Sequence, residues 1–211
     1  NLIFFHNCYL YNILYIKNMS DNYSLIIKNG SCYIDGKLIK SDIGLYENKI
    51  QKIGNIEENN SKVYDASGKV VLPGIIDTQV HFREPGSTDA EDLESGSRAA
   101  VLGGVTSLFE MPNTNPPTAN LIEFEKKLQA AKNRMHTNYA FYFGATPQNT
   151  KQLAQLKNVE GCCGVKLFAG SSTGNLLVDK EADIEKVISS SDRVVSIHSC
   201  LLYTSPSPRD V

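Results

Sequence analysis

In the stretch DTQVHFREPG, Asp77 to Gly86, an apolar run ends on an amide, an imidazole and a guanidinium spaced two residues apart. Side chains of an extended chain alternate between its faces, so Gln79, His81 and Arg83 are expected on one side. Such an inward row of polar groups is costly unless it serves a ligand or a metal. The plain alternative for His81 is a hydrogen-bonded structural histidine at a strand end. Lys166 poses the same question inside GVKLFAG, because an ammonium in a buried parallel strand is expensive to desolvate. Either that strand lies at an edge and the amine reaches water, or the lysine is neutralised or carboxylated and serves as a metal ligand. His198 closes a further apolar strand, VVSIHS. Together His81, Lys166 and His198 would give a zinc site of nitrogen and oxygen donors. No pair of them has helical ligand spacing, so the case rests on their places at strand ends.

Three other stretches carry less. EMPNTNPPT, Glu110 to Thr118, places Asn113 in a Pro-rich loop, and Asn-Thr-Asn-Pro is also ordinary turn chemistry. AGSSTG, Ala169 to Gly174, suits a flexible site loop or an anion nest but lacks the lysine of a nucleotide-binding P-loop. Cys162 and Cys163 read as buried small residues just ahead of a strand.

The elements that must position these groups change character at Gly74. From Tyr23 to Leu72 the segments are short and β-like, punctuated by Gly, Asn and Asp, with YENKI a tight hairpin about Asn48. Residues 19–72 are therefore a small β module. Beyond it, strands and helices alternate. GIIDTQVH leads to a helix through STDAEDLESGSRAAVLGG, with Thr88 and Glu91 as a capping box and Gly103-Gly104 as its stop. VTSLFEM leads to ANLIEFEKKLQAAKNRM, with Leu121, Phe124 and Leu128 at helical spacing. NYAFYFGA leads to a helix capped by Thr146 and begun by Pro147. GVKLFAG, the helix KEADIEKVI and the strand RVVSIH complete the series. A repeat of roughly 25 to 33 residues is that of a βαβ step and implies a parallel sheet. An open doubly wound sheet and a (β/α)8 barrel share that signal. Reactive groups at the ends of several strands favour the barrel, which builds its site this way. The expected fold is α/β, an incomplete (β/α)8 TIM barrel of about five βα units over residues 73–199.

Bulk properties narrow the function. A formal net charge of -2, with the charges dispersed, makes no electrostatic case for nucleic acid. The five cysteines form no C-x-x-C pair, as expected of reduced thiols in a cytoplasmic protein. Residues 1–18 lack an initiator Met and the architecture of a signal peptide, and their apolar run is too short and broken to span a bilayer. They read as upstream translation ahead of a start at Met19. Residues 200–211, CLLYTSPSPRDV, abandon the preceding pattern and read as a foreign tail, a native Ser/Pro-rich tail being the alternative.

LPGIIDTQVHFREPG, EDLESGSRAAVLGGVTSLFEMPNTNPPT, GCCGVKLFAGSSTG and SIHS, in this order, resemble type I dihydroorotase of the amidohydrolase superfamily. The resemblance runs from Tyr23 to Ser199 and covers the first half of such a protein. It implies a metal-dependent barrel flanked by a small β-sandwich, to which residues 19–72 would contribute, and one or two zinc ions. His81 matches the second histidine of the strand-one H-x-H motif, Gln79 stands where the first belongs, and a neutral amide is the poorer ligand. Lys166 matches the carboxylated lysine that bridges two metals, and His198 the strand-five metal histidine. Arg83 and Asn113 match the pair that holds the carboxylate of dihydroorotate, for which a bidentate guanidinium is the natural clamp. Asn113 also separates this type from allantoinases, which tend to carry Leu there. The implied reaction interconverts N-carbamoyl-L-aspartate and L-dihydroorotate in pyrimidine biosynthesis. The family's proton-shuttling aspartate follows the last barrel strand, beyond Ser199, so this segment alone is expected to be inactive. A homo-oligomer or a complex with aspartate transcarbamoylase would fit the resemblance. Two other readings stand beside it: a non-catalytic dihydroorotase-like subunit that supports the transcarbamoylase, which Gln79 favours, and a cyclic amidase of allantoinase type.

Overall fold

The computed structural model describes residues 2–5, 22–47, 49–170, 172 and 175–199. Apart from Leu2–Phe5, the segments read as upstream translation and foreign tail lie outside these residues, as do Cys8, Asn48, Cys200 and most of the Ser171–Gly174 loop. The chain divides into two compact units, Asn1–Ile76 with Val101–Ser107, and Asp77–Ala100 with Leu108–Val211.

The first unit is built on β1 (Leu2–Phe5), β2 (Leu25–Ile34), β3 (Lys37–Tyr46), β4 (Lys49–Gly54), β5 (Lys62–Asp65) and β6 (Val70–Pro73). They form one sheet in the order β1-β6-β2-β3-β4, with β5 alongside β2. The β2–β3 and β3–β4 pairs are antiparallel, and β5 and β6 join β2 in parallel. Asp35 and Gly36 both adopt positive φ, 48° and 80°, as an Asp-Gly hairpin turn requires. The hairpin expected about Asn48 forms, with Tyr46 paired to Lys49. Adjacent Ile26 and Ile27 are both fully buried, although successive strand residues face opposite ways. Ile27 packs with Cys32, Ile43, Ala66 and Val71, and Ile26 with Tyr23 and Ile56, so apolar packing lies on both faces of β2.

The second sheet comprises β7 (Ile75–Val80), β8 (Val105–Glu110), β9 (Asn138–Gly144), β10 (Cys162–Phe168) and β11 (Val195–His198), all parallel, in the order β11-β10-β9-β8-β7. The helices between them are α1 (Leu93–Leu102), α2 (Leu121–Ala131), the short α3 (Thr150–Leu153) continued by a 3-10 turn to Asn158, and α4 (Glu181–Ser190). Neighbours in this sheet are neighbours in sequence, with no reversal of strand order. A doubly wound sheet needs such a reversal to place helices on both faces, whereas a monotonic order of right-handed crossovers keeps them on one face and curls the sheet. This decides for the barrel: the sheet is a half-barrel.

Its core lies between strands and helices. Leu108, Phe141, Phe143, Val165 and Leu167 are fully buried against Leu93, Phe124, Leu153, Leu156 and Val187. Each such side chain is worth about 1.5–3 kcal/mol of burial. Cys162 and Val165 both reach this core despite odd spacing because the β9–β10 register shifts between Cys162 and Gly164. The two cysteines therefore lie within the strand and not ahead of it. Burial pushes the Cys163 thiol up to about 12, which leaves it inert.

Two expected helix starts move. α1 begins at Leu93, capped by Asp92, whose carboxylate accepts from Ser95 N at 2.7 Å while Ser95 Oγ accepts from Asp92 N at 3.1 Å. Thr88 and Glu91 sit in the turn ahead of it, so the reciprocal box lies four residues later than expected. Thr146 and Asn149 exchange a similar pair of bonds, Thr146 N to Asn149 Oδ1 at 2.9 Å and Asn149 N to Thr146 Oγ1 at 3.2 Å. They close a turn, and α3 starts only at Thr150. Asn120 caps α2 through Glu123 N at 2.9 Å. Among the described residues no helix is long and apolar enough to cross a membrane.

Candidate active site at the strand ends

β7 delivers the first two groups. Val80 packs against the helix-side core, so Gln79 and His81 face away from the helices. The strand ends at Val80, whose carbonyl accepts from Met111 N at 2.8 Å, and this ties the start of one loop to the start of the next. Further on, Asn115 N donates to Pro85 O at 3.0 Å. Gly86 there adopts φ 120°, and a β-carbon on it would lie 2.8 Å from Asn115 O. The approach is backbone to backbone, and only glycine permits it. Between these ties the side chains meet: His81 Nδ1 lies 2.8 Å from Asn113 Oδ1.

The loop that carries Asn113 is pinned from beneath. Lys127 of α2 donates to Met111 O at 3.3 Å and forms a buried ion pair with Glu110. Thr118 N donates to Pro112 O at 3.0 Å, and Gly144 N at the end of β9 donates to Thr118 O at 2.8 Å.

β10 supplies Lys166 from the middle of the sheet, between β9 and β11, so the edge-strand alternative does not hold. Val165 and Leu167 occupy the helix-side core, which turns Lys166 to the other face. It is 3% exposed, its amine lies 5.3 Å from the centre of the Phe168 ring, and burial lowers its pKa. His198 pairs in register with Phe168, and the two rings stand 6.1 Å apart.

Gln79, His81, Asn113, Lys166, Phe168, Ser172 and His198 line one cavity of about 310 Å³. It gathers every residue singled out from the sequence except Arg83. Arg83 is exposed and outside this lining, because the alternation that would align it with His81 ends with the strand at Val80. Phe168 was not singled out, although its spacing of two from Lys166 puts it on the same face. The Glu110–Lys127 pair was also missed. Glu110 reads as one more strand-end acid and Lys127 as one more helix lysine until the fold buries both.

Among the described residues no three His, Cys, Asp or Glu side chains gather as a metal-binding group. The cavity becomes metal-capable only with Lys166. Burial favours its neutral amine, the form that carboxylation requires, and the imidazoles of His81 and His198 open onto the same space. Asn113 Oδ1 can only accept, so the His81 tautomer that suits this contact is the one with its proton on Nδ1, which turns Nε2 to the cavity. Metal-binding histidines are commonly held in this manner by a second residue. The donor set fits a divalent ion.

Comparison with known proteins agrees with the fold. Residues 70–196 match the amidohydrolase family. The chain belongs to the amidohydrolase family. It is 36% identical to the dihydroorotase of Methanosarcina mazei over 170 residues, 80% of this chain and 37% of that protein. It is 37% identical to an allantoinase of Salmonella choleraesuis, over 71% of this chain and 33% of that one. The chain thus spans well under half the length of these relatives. The solved structure of the L-hydantoinase (dihydropyrimidinase) of Arthrobacter aurescens superposes with a TM-score of 0.75 at 26% identity, covering 84% of this chain and 41% of that one.

Proposed function

We propose that this chain is part of a metal-dependent dihydroorotase, which interconverts N-carbamoyl-L-aspartate and L-dihydroorotate. The observation that carries the reading is Asn113. It lines the same cavity as His81, Lys166 and His198, and by the resemblance it separates dihydroorotases from allantoinases, which tend to carry Leu there. Its amide NH2 is a donor suited to a substrate carboxylate, beside the imidazole that it also contacts. Arg83, two residues from His81 and exposed, supplies the guanidinium partner for that carboxylate from the loop after β7.

His81, Lys166 and His198 would hold one or two zinc ions, with Gln79 as a weak fourth donor. A divalent ion held there supplies Lewis-acid polarisation of the amide carbonyl and a more acidic water. The protein's own residues do the rest. Asn113 and Arg83 fix the carboxylate end of the ring, which sets where the scissile amide lies. Phe168, 3% exposed, gives the cavity an apolar wall that limits water around the reacting amide.

The allantoinase relative keeps a second substrate class in play, since its identity is close to that of the dihydroorotase. A panel of L-dihydroorotate, allantoin and hydantoin, offered to the full-length protein with zinc, separates the readings. The proposal expects ring opening of dihydroorotate far above the other two. Preference for allantoin would move the protein to the other amidase. A folded protein inert towards all three, yet bound to an aspartate transcarbamoylase, would make it the supporting subunit.

A further inference from the structure

We propose that Asn113 is a positioning residue for His81, fixing the imidazole with its proton on Nδ1 so that Nε2 alone is offered to a metal. The proposal rests on the metal-dependent reading above. It starts from the 2.8 Å contact between His81 Nδ1 and Asn113 Oδ1, which joins two groups of the cavity lining. A carbonyl oxygen cannot donate, so the contact selects one tautomer and one ring orientation.

Both partners are immobilised from the backbone. His81 follows directly on Val80, whose carbonyl is held by Met111 N at 2.8 Å. The Asn113 loop is held by Asn115 N on Pro85 O at 3.0 Å, by Thr118 N on Pro112 O at 3.0 Å and by Lys127 on Met111 O at 3.3 Å. The close approach of Gly86 to Asn115 O locks the two loops together between these ties. The imidazole is thus oriented before any ligand arrives. One amide then has two tasks. Its oxygen orients the histidine, and its NH2 remains for a substrate carboxylate.

The two tasks separate by substitution. Asn113→Asp keeps an acceptor for His81 Nδ1 but sets a negative charge against the substrate carboxylate. Asn113→Ala removes both. The measurement is Zn2+ affinity of the full-length protein, by competition with a chromophoric chelator, for wild type, Asn113→Ala, Asn113→Asp and His81→Ala, with KM for L-dihydroorotate alongside. Asn113→Ala is expected to bind Zn2+ about 10- to 100-fold more weakly, the usual effect of losing such an outer partner. Asn113→Asp is expected to hold Zn2+ at least as tightly as wild type while its KM rises. If Asn113→Ala misfolds, Asn113→Asp decides alone: loss of Zn2+ in that folded variant overturns the proposal. Zn2+ binding that falls with His81→Ala but not with Asn113→Ala overturns the positioning role and leaves the metal-dependent reading standing. A wild type that takes up no Zn2+ overturns both.

Discussion

A lysine in the middle of a parallel sheet must be neutral, paired or bound to something, and Lys166 sits there with only 3% of its surface exposed. From its local sequence it could equally have reached water at an edge. Only the presence of β9 and β11 on either side removes that option, and pairing of this kind is not written in seven residues. His81, Asn113 and His198 were legible because each follows or ends an apolar run, where a barrel collects its reactive groups. Arg83 was placed by a two-residue period that lapses once the strand ends. It is expected to act from its exposed loop: Arg83→Lys in the full-length protein should raise KM for dihydroorotate by about tenfold or more and leave zinc content unchanged, since lysine loses the two-pronged geometry. Loss of zinc with unchanged KM would place Arg83 on the metal side instead. Gln79 gives a second test. Gln79→His should raise Zn2+ affinity in a chelator competition, because imidazole is the better ligand. Unchanged affinity would mean that position 79 does not reach the ion.

At the scale of elements, β8 and α2 meet across a buried charge pair that also holds the Asn113 loop. Among the described residues the Glu110 oxygens meet no donor other than Lys127, and burial pushes the carboxyl up to about 7 against the pull of that ammonium. The same burial lowers the pKa of Lys127. Because the folded value of Glu110 lies above the ordinary 4.5, its protonated form favours the fold. That stability is fully present below about pH 4.5 and lost as pH rises through about 7. Lys127→Met leaves the carboxylate unpaired and should cost about 3–5 kcal/mol in urea unfolding at pH 8, and less at pH 5. Glu110→Leu combined with Lys127→Met should recover most of the loss. A double variant as unstable as the single one, or a loss that is greater at pH 5, would contradict this account. The elements themselves were largely legible, since apolar periodicity locates α2, α4 and all five parallel strands. The starts of α1 and α3 were not. Thr88–Glu91 and Asp92–Ser95 offer competing boxes a turn apart, and the fold takes the second, where Leu93 is buried and its N donates to Glu84. Thr146 and Asn149 bond to each other in a turn ahead of α3.

For the whole molecule, the order of the parallel strands matters more than their number. Periodicity left a doubly wound sheet and a barrel equally open, and the unreversed order of β7 to β11 is a property of the fold that no single segment carries. Among the described residues that sheet ends on two strands, β7 and β11, each with one edge unpaired, and Val194 and Ile197 at the β11 side are exposed. Exposed edges recruit other strands. Residues 19–199 produced alone should therefore associate with rising concentration in light scattering, and a cooperatively unfolding monomer would count against this. In the proposed reaction the cavity at the strand ends would open a cyclic amide through a centre that includes Lys166. Its most direct test is the rate of L-dihydroorotate ring opening by the full-length protein, wild type against Lys166→Ala, with zinc supplied to both. The account predicts turnover in the wild type that a chelator removes and zinc restores, and a Lys166→Ala rate no higher than background; a folded Lys166→Ala protein that turns over dihydroorotate at the wild-type rate would contradict it.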